Sequence, residues 1–294
     1  MSNLDFDGQA LAFDQRTGLP MAASSRVAKA VAELARPRLE RSRLERPQFE
    51  QPQFEQPQSA KPGCVLDLGA GTGVVGMDLA GLVETYIGLD LSLPMLTVYR
   101  RKMVGSDRYL LIHGDGDRGW PVADGSVDLV FSSRAAHLLG LKHLVQELQR
   151  VARPEGAVLV LGSVRRDKKS VRDALRREMR RLLKAQGIDG KGGRKARRSI
   201  FDQLQERGAE ALESRRPASW SVVERPADSL TSWRAKNGLA GQAVDAEVRR
   251  RVLDRVEAWA RERWGDLSAA YPSTDYYELE AIRLPARDGE SVAI

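Results

Sequence analysis

The residues of this chain with the clearest chemical meaning are an acid and the three glycines that follow it. Residues 65–73 read Val-Leu-Asp-Leu-Gly-Ala-Gly-Thr-Gly, so Asp67 stands two residues before Gly69, with Gly71 and Gly73 at alternate positions. Glycines at this spacing allow a sharp turn and let a ligand lie against bare backbone. A carboxylate beside the turn would repel a phosphate and attract an ammonium group. The segment therefore predicts a site for a small ligand that carries an ammonium group.

Two further acids stand at the ends of later strand-like segments. Asp90 ends the segment 85–90, and Asp115 follows the segment 109–113. The carboxyl ends of parallel strands meet at one edge of a sheet, where ligands bind in this class of fold. We therefore expect Asp67, Asp90 and Asp115 to line one crevice.

A dinucleotide site is the main alternative for the same turn. Gly71, Gly73 and Gly76 match G-x-G-x-x-G, and Asp90 follows about 20 residues later, as in nicotinamide-binding oxidoreductases. The acid at Asp67 disfavours a pyrophosphate there. The Arg-rich helices after the fifth strand also leave the second half of a dinucleotide fold without a clear counterpart.

The elements that must position these residues alternate along the chain. This alternation predicts a doubly wound, mainly parallel α/β sheet with ligands at the carboxyl edge of its strands. The predicted strands are 65–68, 85–90, 109–113, 127–132 and 157–163, with helices at 74–82, 93–104 and 142–151. Further helices are predicted near 171–186, 201–212 and 245–264, and further strands at 220–224 and 276–284, the last antiparallel.

Residues 62–164 resemble a class I S-adenosylmethionine-dependent methyltransferase of the methyltransferase type 11 group, which includes quinone-biosynthesis methyltransferases. The similarity extends over five ordered motifs. They are Val-Leu-Asp-Leu-Gly-Ala-Gly-Thr-Gly at 65–73, Tyr-Ile-Gly-Leu-Asp-Leu-Ser at 86–92, His-Gly-Asp-Gly at 113–116, Pro-Val-Ala-Asp-Gly-Ser-Val-Asp-Leu-Val-Phe-Ser-Ser at 121–133, and Leu-x-x-Val-x-Arg-Pro-Glu-Gly-Ala-Val-Leu-Val at 148–160. The resemblance implies S-adenosylmethionine as the cofactor and a seven-stranded Rossmann-like sheet.

The resemblance also implies roles for individual residues. Asp67 and the turn formed by Gly69, Ala70, Gly71 and Gly73 would hold the methionine part of the cofactor. Asp90 would accept hydrogen bonds from the ribose hydroxyls, which requires an acceptor-only group. An ordinary turn cap or a partner for a local lysine remains the alternative for Asp67, and an ordinary strand-end acid the alternative for Asp90.

The adenine and the reacting groups would contact later motifs. By resemblance, Leu91 and Met95 would pack on the adenine, and Asp115 would accept a hydrogen bond from its amino group, with the Gly116 backbone nearby. Ser132 and the serine after it would border the sulfonium and the methyl acceptor.

Methyl transfer requires mainly alignment, because the sulfonium methyl is already activated, and a general base is optional. His137 lies after the fourth strand, where an imidazole could take a proton from a hydroxyl acceptor. It could equally line the cofactor cleft or cap a helix. Arg134 and either Tyr276 or Tyr277 are further candidates for acceptor contacts.

Positive charge is concentrated in residues 164–200. The segment contains 15 Lys or Arg and 4 Asp or Glu, in a chain whose formal net charge is +7. A basic cover over the acceptor would favour a small anionic or hydroxylated metabolite. A solvated helix face and an RNA methyltransferase remain alternatives, although the segment lacks aromatic residues on which bases could stack.

The organisation predicted from composition has five parts. Residues 1–35 would form an N-terminal helical lid with Phe13 and Arg16 as lid residues. A proline-rich linker of five-residue repeats would span 36–60, the cofactor-binding core 61–164, a basic helical insertion after the fifth strand 165–215, and strands and helices that complete the sheet 216–294.

Bulk composition excludes several classes of site. Cys64 is the single cysteine, so no internal disulfide forms, and three unclustered histidines argue against a zinc site. The sequence contains no run of 18 apolar residues and no secretory leader, so we expect a cytoplasmic protein without a membrane partner.

Overall fold

The computed structural model of the protein describes residues 19–35, 63–103, 109–189 and 193–286, with the side chains of 193–196 excepted. The predicted lid residues Phe13 and Arg16 and the 36–60 repeat lie outside the described residues. The chain divides into two compact units. The first contains the described residues up to Ser163, Arg197–Ala218 and those from Glu278 onward, and the second contains Val164–Ala196 and Ser219–Tyr277.

One mainly parallel sheet contains most of the strands. Its strands, numbered in chain order, are β1 Cys64–Leu68, β2 Thr85–Asp90, β3 Tyr109–His113, β4 Leu129–Ser133, β5 Val158–Arg166, β6 Glu210–Ala211, β7 Arg215–Glu224 and β10 Tyr271–Arg283. The order is β3-β2-β1-β4-β5-β10-β6, with β7 also paired to β10. Strands β1 to β5 pair in parallel. The order reverses beside β1, which is where doubly wound sheets bind ligands.

The last long strand runs against its neighbour, as predicted. The Leu284 amide donates to the Ala157 carbonyl at 2.8 Å, and the Asp167 amide donates to the Thr274 carbonyl at 3.1 Å. Residue numbers therefore rise along β5 while they fall along its partner, which defines an antiparallel pair.

Helices cover the sheet of the first unit, and their apolar faces explain why they form there. They are α1 Met21–Leu34, α2 Gly76–Ala80, α3 Leu93–Lys102, α4 Leu141–Val151 and α6 Gly193–Gln205. In α4, Leu144, Val145 and Leu148 are buried in the same core as Leu66 and Leu159 of the strands. Leu148 follows Leu144 by four residues and Val145 by three, so the three side chains form one apolar stripe that faces the sheet.

The N-terminal helix packs against the start of α2. The Ser24 hydroxyl donates to the Val74 carbonyl and contacts Asp78 at 2.9 Å, and Ser25 contacts the same carboxylate at 3.0 Å. A helix is thus present within the predicted 1–35 segment, and its function as a lid stays a prediction.

The second unit has a helical core of its own. It is built from α5 Val171–Lys184, α7 Pro226–Arg234, α8 Ala246–Trp264 and a short hairpin of β8 Gly238–Leu239 and β9 Gln242–Ala243. The apolar stripe of α5, including Leu175 and Leu183, is buried with Trp233 and Val256. This grouping differs from the predicted 165–215 insertion, because the stripe finds its apolar partners in residues 226–267.

Several predicted element boundaries also require correction. The helix predicted at 74–82 is limited to Gly76–Ala80, and the helix predicted at 201–212 begins earlier, at Gly193, and ends at Gln205. Helix α7 was not predicted, since its nine residues are too few for a clear periodic pattern. Over the described residues, no helix combines the length and apolarity needed to cross a bilayer.

Candidate active site

The turn after β1 has the backbone conformation that its glycines predict. Gly69, Gly71 and Gly73 have φ values of 76°, 56° and 75°, in the left-handed region that favours glycine. The Gly69 and Ala70 amides donate to the Leu89 carbonyl at 2.8 and 3.2 Å, which fixes the turn against β2. A side chain at Gly69 would be 2.2 Å from the Ala135 Cβ, so the loop after β4 packs directly on this turn.

Asp90 connects the glycine turn to the start of α3. Its Oδ2 accepts a hydrogen bond from the Gly71 amide at 2.7 Å, and its Oδ1 accepts one from the Ser92 amide at 2.8 Å. The Ser92 side chain in turn caps α3 by accepting from the Met95 amide. The carboxylate predicted to bind ribose is therefore held in place by backbone donors on both sides.

The third predicted acid lies at the end of the neighbouring strand. Asp90 and His113 are register partners in the pair of β2 with β3, and the Gly114 amide donates to the Asp90 carbonyl at 2.9 Å. Asp115 follows directly, and its Oδ1 accepts from the Asp117 amide at 3.0 Å. The fold thus brings Asp90 and Asp115 to adjacent strand ends, as the sequence predicts.

The two residues predicted to contact adenine differ in exposure. Leu91 is 55% exposed, which is unusual for a leucine beside a buried strand, whereas Met95 is 2% exposed. Gly116 is buried, and its carbonyl accepts from the Trp120 indole N–H at 3.0 Å. Leu91 therefore offers an apolar surface to a ligand at this edge, and Met95 offers very little.

Asp67 lies beneath the turn, in a buried cluster with two tyrosines. It is 3% exposed, and its Oδ2 accepts a hydrogen bond from the Tyr86 hydroxyl at 2.6 Å. Its Oδ1 is buried without a hydrogen-bond partner among the described residues. Burial raises the pKa of Asp67 to about 7; the Tyr86 hydrogen bond opposes this rise, and the nearby charge of Asp90 adds to it. A contact from Asp67 to a cofactor ammonium stays a prediction.

Ser132 has a structural task that the sequence did not reveal. Its hydroxyl donates to the Leu68 carbonyl at 2.7 Å and accepts from the Ala136 amide at 3.0 Å. The side chain is 1% exposed. It therefore joins the end of β1 to the loop after β4 and positions both sides of the crevice.

The loop after β4 carries the residues predicted to meet the acceptor. Arg134 has φ of 62°, which is uncommon for a non-glycine residue and is found at functional turns. His137 is exposed by surface area, yet partial desolvation and the positive charge of Arg197 lower its pKa. The imidazole is therefore neutral near pH 7 and able to accept a proton.

Arg197 is a site residue that the sequence did not single out. Its guanidinium donates to the Ser163 hydroxyl at 2.8 Å and lies 3.5 Å from a Glu280 carboxylate oxygen. It belongs to a stretch rich in lysine and arginine, and nothing in the sequence distinguishes it from the basic residues around it. The two tyrosines proposed for acceptor contacts belong to the second unit, where Tyr277 is buried and Tyr276 half-buried.

These residues fit S-adenosylmethionine. The Asp90 carboxylate, held by the Gly71 and Ser92 amides, directly precedes the exposed Leu91, so a polar group and an apolar surface lie side by side at the end of β2. The described residues contain no group of three or more histidine, cysteine or acidic side chains arranged to hold a metal ion.

Comparison with known proteins shows similarity to methyltransferases. Residues 65–156 match the family model described as a methyltransferase domain. Over 102 residues the chain is 35% identical to a demethylmenaquinone methyltransferase of Clavibacter sepedonicus, a match that covers 33% of this chain and 39% of that protein. It is 39% identical over 98 residues to a malonyl-[acyl-carrier protein] O-methyltransferase of Methylococcus capsulatus, which covers 32% and 35%.

The similarity in structure extends further than the similarity in sequence. One chain of the complex between the Haloferax volcanii Trm112 methyltransferase activator and a methyltransferase superposes with a TM-score of 0.51 and 17% identity. The alignment covers 97% of this chain and 98% of that one, and it shows a shared fold. The matched region spans less than half the length of the curated relatives. The predicted resemblance and the mainly parallel, Rossmann-like α/β fold class are confirmed, with eight strands in the sheet instead of seven.

Proposed function

We propose that the protein transfers a methyl group from S-adenosylmethionine to a small anionic or hydroxylated metabolite, since residues 65–156 match the model of a methyltransferase domain. The observation that carries the proposal is the glycine turn held by Asp90. The turn holds the Asp90 carboxylate through the Gly71 amide, next to the exposed side chain of Leu91 at the end of β2. That combination suits a ligand with ribose hydroxyls and an ammonium group.

S-adenosylmethionine supplies an electrophilic methyl group on a positively charged sulfur. Asp90 would hold the ribose, since an ionised carboxylate can only accept hydrogen bonds. Asp115 would accept from the adenine amino group, and Leu91 would pack on the ring. Together they would orient the cofactor at this edge of the sheet.

The loop after β4 supplies the groups for the acceptor. Arg197 provides positive charge beside His137, and Arg134 precedes it by three residues, which favours an acceptor that carries a carboxylate, phenolate or phosphate ester. Where the acceptor attacks through a hydroxyl, its oxygen would bond to the methyl carbon as the carbon–sulfur bond breaks and its electron pair returns to sulfur, which leaves neutral S-adenosylhomocysteine. The neutral imidazole of His137 would take the hydroxyl proton. Proximity and in-line alignment provide most of the acceleration.

A labelling experiment tests this proposal. The protein is incubated with methyl-labelled S-adenosylmethionine and, separately, with a small-molecule extract and total RNA from the producing cells. We expect label in the small-molecule fraction and none in RNA. The Asp90→Ala variant should lose the transfer, whereas Asp228→Ala, which removes an exposed acid from the second unit, should retain it.

Label in RNA would favour the nucleic-acid alternative, in which the basic segment 164–200 holds the substrate. Such an enzyme would also retain RNA through purification and release it steeply with salt. Tight binding of a nicotinamide cofactor without any methyl transfer would favour the oxidoreductase alternative.

A further inference from the structure

The second unit contains a cavity of about 460 Å³ that is lined mainly by cations. This pocket, here called the arginine pocket, lies within Val164–Ala196 and Ser219–Tyr277 and contains none of the residues assigned to the cofactor. Its polar lining comes from four arginines and a lysine, and its apolar lining from a methionine, a tryptophan and a leucine. The lining residues are Arg166, Arg172, Arg176, Met179, Arg180, Trp233, Lys236, Leu239, Ala240 and Gly241.

Three of the arginines recur every fourth residue of α5. Arg172, Arg176 and Arg180 therefore share one face of the helix, where like charges at this spacing destabilise it. On the same helix, Arg177 pairs with Asp173 and Arg181 pairs with Glu178. No carboxylate of the described residues lies within 4 Å of the Arg176 or Arg180 guanidinium. The helix thus neutralises its outer arginines and leaves those of the pocket face available.

Burial raises the free-energy cost of holding these arginine charges close together. The Arg172 Nε is buried and has no hydrogen-bond partner among the described residues. Desolvation and the charge of Arg166 lower the pKa of Arg172, and desolvation with the charges of Arg180, Arg166 and Arg172 lowers that of Arg176. An unpartnered buried donor and mutually repelling cations both favour the binding of an anion.

Nearby carboxylates do not balance the cluster. Asp275 lies 3.8 Å from Arg166, and Glu224 accepts a hydrogen bond from the backbone amide of Arg172 at 3.0 Å. Even with both acids counted in full, the four arginines retain two positive charges. The pocket therefore suits an anion with more than one negative charge.

The rim of the pocket contains a strained turn. Ala240 and Gly241 connect β8 to β9 with φ values of 53° and 84°. This is the conformation of a type I′ hairpin turn, where glycine, asparagine and aspartate are preferred. An alanine with positive φ is uncommon, and such strain concentrates at ligand sites. The turn places the backbone of Ala240 and Gly241 along the cavity wall.

We propose that the arginine pocket binds a small molecule that carries a phosphate or diphosphate group together with an apolar portion. Guanidinium groups pair with phosphate oxygens through two parallel hydrogen bonds, which favours arginine over lysine for this task. The cavity volume falls within the range of about 300–1,000 Å³ found for small-molecule sites, so an organic portion fits beside the anion. Met179, Trp233 and Leu239 form the apolar wall for it.

Binding of an anion in the arginine pocket does not depend on whether the protein transfers methyl groups. Calorimetric titration with inorganic pyrophosphate measures it directly on the full chain. Arg176→Gln/Arg180→Gln removes two charges from the pocket. Arg177→Gln/Arg181→Gln removes the same number of charges from an adjacent face of the same helix and is the matched control.

We expect pyrophosphate to bind the wild-type protein and the control with dissociation constants within about twofold of each other. The pocket variant should bind roughly tenfold more weakly or worse, because hydrogen bonds to charged groups are lost. Thermal unfolding of both variants checks that each is folded. Should the pocket variant unfold, Lys236→Gln, which changes an exposed residue at the rim, replaces it and should weaken binding severalfold.

A second titration tests the apolar wall. Phenyl phosphate should bind more tightly than inorganic phosphate to the wild-type protein, since its ring buries apolar surface. Equal weakening by both double variants would show nonspecific attraction to a basic helix and overturn the proposal. Absence of pyrophosphate binding, or retention of RNA in its place, would overturn it as well.

Discussion

Replacing Asp67 by asparagine should remove a pH dependence from the stability of the first unit. The pKa of the buried carboxyl is about 7, against an ordinary value of 3.8. Between these values the folded state binds more protons than the unfolded state, so stability falls as pH rises. The slope is about 1.4 kcal/mol per pH unit, which gives a loss of ~2–3 kcal/mol from about pH 5 to about pH 8.

The asparagine variant keeps the shape of the side chain and an oxygen to accept the Tyr86 hydrogen bond, but it carries no charge at any pH. Its stability relative to the wild-type protein should therefore rise by the same ~2–3 kcal/mol across this range, or roughly 5–10 °C in midpoint temperature. Asp228→Asn is the matched control, because that carboxylate is exposed.

Thermal unfolding followed by near-ultraviolet circular dichroism, without cofactor, provides the measurement. If the wild-type and Asp67→Asn midpoints run parallel from about pH 5 to about pH 8, the carboxyl titrates at its ordinary value. The buried tyrosine cluster would then have no effect on its ionisation, and our reasoning about Asp67 would be wrong.

Three further substitutions test the positions around the crevice. Gly69→Ala places a Cβ 2.2 Å from that of Ala135 at a φ of 76°, so calorimetry should show weaker binding of S-adenosylhomocysteine and a stability loss of about 2 kcal/mol. Ser132→Ala removes two buried hydrogen bonds and should cost ~1–3 kcal/mol in denaturant unfolding, whereas a loss near zero would contradict its bridging role. His137→Gln should slow methyl transfer without altering cofactor affinity. The wild-type rate should decline only below about pH 6.5, because the pKa of His137 is lowered, and an unchanged acid limb in the variant would exclude it as the base.

The part of the fold that follows local pattern could be predicted from sequence. The strands around the glycine turn are short, buried and bounded by turn residues, so their positions and parallel order followed from alternation. The packing of the helices in the second unit could not be predicted from local pattern. The α5 stripe of Leu175 and Leu183 shows that a partner is needed, but only the fold reveals that Trp233 and Val256 supply it.

The candidate site also contains residues whose positions could be predicted from the sequence and residues whose positions could not. The glycine turn and the strand-end positions of Asp90 and Asp115 follow from the residues and their spacing. The burial of Asp67 could have been inferred from the alternation of side chains along a strand. Leu66 and Leu68 belong to the core on one face of the sheet, so Asp67 between them points to the opposite face. The bridging hydroxyl of Ser132 could not, since the Leu68 carbonyl to which it donates is 64 residues away in sequence.

The most direct test of the account is the binding of S-adenosylhomocysteine by calorimetric titration. We predict one site on the wild-type protein, unchanged affinity in Asp228→Ala, and affinity at least about tenfold weaker in Asp90→Ala, because charged hydrogen bonds contribute ~1.5–3 kcal/mol each. A wild-type protein that does not bind the ligand, or an Asp90→Ala variant that binds it equally well, would contradict the assignment of the crevice to this cofactor.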